Sequence, residues 1–133
     1  MIIITMNYTG EVIEESLQSL DLLGQLDIKS SRTEKVTDAH KTPWLEKWTL
    51  HTVEVSAEAI EDLAHKLSQI LKPKHWYADF KNDDKHVIVF PGKVFNVDRN
   101  NQKNYKDAID HGEALSIPRH HFCFLLESKD WKL

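Results

Sequence analysis

Sixteen residues, HKTPWLEKWTLHTVEV from His40 to Val55, carry two histidines, two tryptophans and two glutamates. Metal centres and ligand cradles are built from such side chains. Further along, Tyr77, Asp79 and Lys81 alternate with Trp76, Ala78 and Phe80. A carboxylate and a lysine two residues apart on a strand share one face. Together with Glu54 they echo nuclease sites, in which carboxylates hold magnesium and a lysine steadies the attacking water. These residue types allow three chemistries: ligand binding on an aromatic wall, metal-assisted hydrolysis, and proton uptake by the chain's eight histidines near pH ~6.5.

Strand alternation decides which of these side chains can meet. Read as a strand, 45–55 puts His51 with Leu45, Thr49, Val53 and Val55, and puts Trp44, Glu46, Trp48, Leu50, Thr52 and Glu54 on the opposite face. His51 thus parts from both tryptophans. The candidate binding residues are His40, Lys41, Trp44, Glu46 and Trp48, at the loop end of the strand. His51, Glu54, Tyr77, Asp79 and Lys81 form a second candidate cluster. A metal among His40, His51, Glu54 and Asp79 requires ligands from separate segments, and the chain has no His-x-x-x-His or His-Glu-x-x-His spacing. A core or interface histidine bonded to the backbone is the commoner role for His51. No metal and no cofactor is therefore expected. Neither a Gly-rich phosphate loop nor a Gly-x-Ser-x-Gly elbow is present.

The elements that must position these residues follow from periodicity. Residues 1–6 are apolar and β-branched and read as an edge strand. Thr9 caps a helix over 9–20, with Ile13, Leu17 and Leu20 on one face and Gly24 at its end. Leu26, Ile28, Ser30, Arg32, Glu34 and Val36 share one face of a strand, which pairs with 45–55 as a long hairpin. Ser56 caps the clearest helix, where Ile60, Leu63, Ala64, Leu67, Ile70 and Leu71 recur at helical spacing before Pro73. A meander follows, with strands at 75–81, 86–90 and 94–97 and turns at 82–85 and 91–92. A last helix is capped by Asn100 or Asn101 and turns Tyr105, Ala108, Ile109, Gly112 and Leu115 inward. An apolar strand at 121–126 and a charged tail with Trp131 complete the chain.

The fold class is α+β, a two-layer sandwich in which two or three helices cover one face of a mainly antiparallel sheet, and a ferredoxin-like variant is one member of that class. The 133 residues make a single domain, 1–133. A formal charge of −4, with lysines and arginines scattered among acids, argues against nucleic acid as a partner. The longest apolar runs, 1–4 and 122–126, fall far short of a bilayer span, so no membrane partner is expected. No basic stretch precedes an apolar core at the N-terminus, and no signal peptide is expected. Cys123 is the single cysteine, which excludes an intramolecular disulfide and points to a reducing, cytoplasmic setting.

The segments His40-Lys-Thr-Pro-Trp44, Trp48-Thr-Leu-His-Thr-Val-Glu54, Trp76-Tyr-Ala-Asp-Phe-Lys81 and Lys93-Val-Phe-Asn-Val-Asp-Arg99 resemble a small prokaryotic family of uncharacterised (hypothetical) proteins over about residues 26–118. At His120-His121 the chain departs from that family's less basic segment. The resemblance implies no catalytic residue. The first functional expectation is therefore a small intracellular module that binds a small-molecule ligand, or a second copy as a homodimer, through the hairpin around Trp44 and Trp48. The alternative is a metal-dependent hydrolase or nuclease with ligands among His40, His51, Glu54 and Asp79. The third is pH sensing by the histidines.

Overall fold

A computed structural model describes residues 7–117. Six strands run through it: β1 (Tyr8–Ile13), β2 (Asp27–Lys35), β3 (Lys47–Val55), β4 (Ala78–Lys81), β5 (Lys85–Phe90) and β6 (Lys93–Asp98). They form one sheet in the order β2-β3-β1-β4-β5-β6, and every neighbouring pair is antiparallel. The described helices are α1 (Ile60–Ile70) and α2 (Gln102–Ala114). The architecture is the expected α+β one. Because β1 is antiparallel to both β3 and β4, those two strands run parallel, with α1 as their crossover and β1 inserted between them. This is the split βαβ unit of ferredoxin-like folds. The expected strands at 1–6 and 121–126 and the tail bearing Trp131 lie outside the described residues.

The helix expected over 9–20 is instead strand β1 followed by a 3-10 turn, Glu14–Ser16. Thr9, Glu11 and Ile13 point one way, and Tyr8 and Val12 are buried the other way. Pairing on both edges outweighs the helical spacing of Ile13, Leu17 and Leu20, because tertiary contacts override weak local preference. Gly10 makes this possible. A Cβ there would lie 1.9 Å from the Asp79 carbonyl oxygen and 2.6 Å from a Phe80 ring carbon, so β1 and β4 approach more closely than any side chain at residue 10 permits.

The two helices cover opposite faces of the sheet rather than one. Val12, Val53, Phe80, Val87 and Val89 pack with Ile60, Leu63, Ala64 and Leu67 of α1. Ile88, Phe90 and Val97 pack with Tyr105, Ala108 and Ile109 of α2. The cause is β5, which is apolar on both faces (Val87 and Val89 against Ile88 and Phe90) and so requires cover on both. Ser56, expected as the N-cap of α1, instead closes the turn before it, its hydroxyl accepting from the Ala59 N–H at 3.2 Å. Asn101 caps α2 as expected, accepting from the backbone N–H groups of Lys103 and Asn104. The α2 side of the sheet is covered only near β5 and β6. Over β2, β3, β1 and β4 the same face lies open among the described residues.

A bulge shapes β2. Ile28 pairs with Val53 and Ser30 with Thr52, so Lys29 is the extra residue. The insertion switches faces along the strand. Ile28 lies with Val53 on the α1 side, whereas Ser30, Arg32 and Glu34 lie with Thr52, Leu50 and Trp48 on the open side. The single shared face expected for Leu26 to Val36 is divided at that point. Among the described residues β2 is one of the sheet's two edge strands, and it is almost wholly exposed. Its lysines and its bulge are the devices that discourage edge-to-edge pairing.

Two outcomes follow. Gly10→Ala should destabilise the protein by about 3 kcal/mol or more, since overpacking against backbone cannot relax cheaply. Gly24→Ala, where an added Cβ meets nothing within 4 Å, should be close to neutral; urea unfolding of both variants checks this pair. The second concerns His111 on α2, whose ring lies 5.1 Å from Phe90 and 5.5 Å from Phe95, with Nε2 buried and without a hydrogen-bond partner. Burial first, and Lys93 second, hold its pKa below the ordinary histidine value. The folded state therefore binds fewer protons than the unfolded one, and this contribution to stability is lost as pH falls through about 6.5 towards the folded value. His111→Leu should gain on the wild type as pH is lowered from about 7.5 to 5.5, as read by denaturant unfolding at each pH.

Candidate functional site

The open half of the sheet face is a cleft of about 640 Å³, within the range of ligand sites. Its floor follows from the strand register. Glu11 of β1 stands directly opposite Thr52 of β3 on one side and Asp79 of β4 on the other. Directly opposed residues share a face, so Thr9, Glu11, Thr52, Asp79 and Lys81 converge there. Trp48 and Leu50 of β3, and Tyr77 just before β4, supply apolar surface. From β2, the Arg32 guanidinium reaches a Glu11 carboxylate oxygen at 3.2 Å and Glu34 at 3.5 Å.

The hairpin loop folds back to hold Trp48. Its indole N–H donates to the Thr42 hydroxyl at 2.9 Å, and Thr42 is buried. The Trp48 ring lies 5.3 Å from Trp76, and the His40 ring meets it edge-on at 4.4 Å. His40 Nδ1 accepts the Thr37 backbone N–H at 2.9 Å, so in the neutral ring Nε2 carries the proton and donates to Glu34 at 3.3 Å. This fixes the 3-10 turn Asp38–His40 with a capping box. His40 is a buttress for Trp48.

Of the first expected cluster, His40 stays beside Trp48, and the other three residues are exposed. Lys41 is exposed in the left-handed region at φ 58°. Trp44 is 59% exposed, with its ring 5.3 Å from His75 at the edge of the cleft. Glu46 is exposed, and its backbone carbonyl accepts from Val36 N–H at 3.0 Å. The second cluster divides as well. His51 lies on the α1 side, hydrogen-bonded to the Ser31 hydroxyl at 2.7 Å and to Glu14 at 3.1 Å. Glu54 accepts from the Asn7 amide at 2.8 Å and lies 3.6 Å from Lys29. Trp48 of the first cluster and Tyr77, Asp79 and Lys81 of the second meet around the cleft. His40, His51, Glu54 and Asp79 do not converge, and among the described residues no three His, Cys, Asp or Glu side chains group as metal ligands.

Behind the cleft floor lies a polar chain. His86 of β5 is fully buried; its Nε2 lies 2.6 Å from Asp79 Oδ2 and its Nδ1 lies 2.9 Å from the Tyr105 hydroxyl on α2. Arg99 is hydrogen-bonded to Tyr105, whose acidity burial lowers most, raising its pKa, while Arg99 opposes that effect. A guanidinium only donates. With the phenol oxygen accepting from Arg99, every group gains a partner when Tyr105 donates to Nδ1 and Nε2–H donates to Asp79. Arg99 also donates to the Asn82 carbonyl at 2.6 Å. Sequence reasoning missed Glu11, Arg32, His86 and Tyr105 as site residues. Glu11 lies in the segment whose spacing predicts a helix. The one available signal for His86 was its place in the buried alternation with Ile88 and Phe90.

No protein-family model matches this chain, and no curated protein or solved structure matches it either. Among the described residues, no helix is long and apolar enough to cross a membrane.

Removing the Tyr105 hydroxyl leaves His86 Nδ1 buried without its donor, at a cost of about 1–3 kcal/mol. Tyr105→Phe should therefore lower the unfolding midpoint in urea while leaving the circular dichroism spectrum native.

Proposed function

We propose that this protein is a small-ligand-binding module whose site is the cleft on the open sheet face. One observation carries the reading: Trp48, Leu50, Tyr77, Glu11, Arg32 and Asp79 line a single concavity of about 640 Å³. Apolar walls with a few converging charged groups are the usual composition of a ligand site. Trp48 stands on β3, and the 36–46 loop braces it through Thr42 and His40, so its ring is already held in place before a ligand arrives. A metal-dependent hydrolase has less support, because its four candidate ligands lie in separate places. Self-association rests on Trp44, the most exposed large apolar side chain among the described residues, and that single residue is a small basis for an interface. The single cysteine supports a cytoplasmic setting.

Thr52→Trp places a large ring on the cleft floor at a β-compatible position. In thermal-shift screening against metabolite-sized compounds, a ligand of this cleft at about 100 times its Kd adds roughly 2.7 kcal/mol of stability, a shift of several degrees. The expected result is that such a shift vanishes in Thr52→Trp. Compounds that stabilise the variant and the wild type equally would remove the basis for this site.

A further inference from the structure

On the α1 side of the sheet, away from the cleft, side chains from three separate segments meet in a line. The Ser31 hydroxyl of β2 lies 2.7 Å from His51 Nδ1, and His51 Nε2 lies 3.1 Å from a Glu14 carboxylate oxygen. The carboxylate decides the direction of both bonds. An ionised carboxylate only accepts, so in the neutral ring Nε2 carries the proton and donates to Glu14. Nδ1 is then a bare lone pair, to which the Ser31 O–H donates. A serine donating to an imidazole that a carboxylate holds in one tautomer is the arrangement that activates a hydroxyl for attack. The ring is turned over relative to the usual Ser-His-Asp order, in which serine faces Nε2. The roles are unchanged, since either ring nitrogen can accept a proton.

Each member of the line is held by its own device. Ser31 stands directly opposite His51 in the β2–β3 ladder, and the bulge at Lys29 turns it to that face. With unbroken alternation from Ile28, Ser31 would lie on the other side of the sheet. Glu14 belongs to the 3-10 turn Glu14–Ser16, which its neighbour Glu15 fastens to β3 by accepting from the Thr49 N–H at 2.6 Å and the Thr49 hydroxyl at 2.8 Å. Beyond the turn, the Gln18 N–H donates to the Ile70 carbonyl at 2.7 Å, at the end of α1. His51 is 9% exposed, whereas Ser31 is exposed on an edge strand. The base is sheltered and the hydroxyl is within reach of a substrate. An edge strand also presents backbone N–H groups outward, donors of the kind that take up charge on a carbonyl oxygen during attack.

We propose that Ser31 is a nucleophile for acyl transfer, with His51 as its general base and Glu14 as the residue that positions His51. This site is separate from the cleft and stands whether or not the cleft holds a ligand. As Oγ bonds to the carbonyl carbon of an ester, its proton passes to His51 Nδ1. The ester C–O bond then breaks, the departing alcohol takes that proton from Nδ1, and an acyl-Ser31 remains. Water attacks the acyl carbon and gives a proton to Nδ1; Oγ leaves, regains the proton, and the free acid is released. Glu14 and Glu15 stand beside the hydroxyl and repel donors that carry a carboxylate, so the substrate class is an uncharged ester.

Two uncharged probes test this on the wild-type chain at neutral pH. p-Nitrophenyl acetate reads turnover; diisopropyl fluorophosphate reads the nucleophile, an Oγ–P bond forming as fluoride leaves and the hydroxyl proton passes to His51. The expected result is p-nitrophenolate release that stops once the fluorophosphate has reacted, with peptide mass spectrometry placing the phosphoryl group on Ser31. His51→Gln should slow that labelling by about a hundredfold or more, the scale of one general base. Glu14→Gln offers an amide N–H to Nε2 and so reverses the tautomer. It should lower kcat for the ester with KM unchanged, whereas a purely structural role would leave kcat intact in the folded variant. Should His51→Gln not fold, urea-unfolded wild type replaces it, and there Ser31 should react no faster than the other serines. Ester turnover that survives Ser31→Ala, labelling on another residue, Ser31 labelled equally fast in His51→Gln or in the unfolded chain, or no reaction with either probe would overturn the assignment.

Discussion

Much of this structure depends on a contact that only a residue without a side chain can make. At Gly10 the β1 backbone lies so close to Asp79 and Phe80 of β4 that a Cβ would fall 1.9 Å from a carbonyl oxygen. This contact lets β1 occupy the middle of the sheet, between two parallel strands joined by α1. Once β1 is there, the register is set, and it places Glu11 against Thr52 on one side and Asp79 on the other. The cleft floor is a product of that register. Shifting β1 by one residue would turn Glu11 towards α1 and Val12 towards the open face.

The second organising feature is the difference between the two faces of the sheet. On the α1 side, apolar residues from β1, β3, β4 and β5 form one cluster with the helix. On the other side α2 covers only the β5–β6 end, and the remainder carries charges paired along and across strands. Polar pairing substitutes there for burial: Glu11 with Arg32, Arg32 with Glu34, Glu34 with His40. Exposed pairs of this type contribute little to stability. Their main effect is to hold side-chain positions around Trp48.

The elements with strong, locally written periodicity were legible in the sequence. The helix through Leu63 and Leu67, the turn at Asn82, the cap at Asn101 and the alternation through Trp76 to Lys81 all appear where residue spacing puts them. β1 was not legible, because Thr9 before an acidic turn and the spacing of Ile13, Leu17 and Leu20 form a sound helix signal locally. Only pairing with segments far along the chain reverses it. The bulge at Lys29 was hidden for the same reason, since a bulge is defined by the partner strand. Around the cleft, parity puts Tyr77, Asp79 and Lys81 on one strand face and separates His51 from the tryptophans, as the structure has them. Their meeting with Trp48 across β1 could not be read, because the strand order departs from the chain order. His86 and Tyr105 stand nineteen residues apart, and nothing in their local sequence marks them as partners.

The central position of β1 also bears on how the chain reaches its fold. Both partners of β1 are made later than β1 itself, with Thr9 awaiting Glu54 on one edge and Lys81 on the other. During synthesis the strand therefore emerges with two unpaired edges and no local partner, while the β2–β3 hairpin and the β4–β5–β6 meander can each form from neighbouring residues. Contacts of long sequence separation slow folding. Pairing of β1 on both edges therefore requires the two halves to close around a single extended segment. The cleft draws side chains from both halves and from β1, so it cannot exist before that closure.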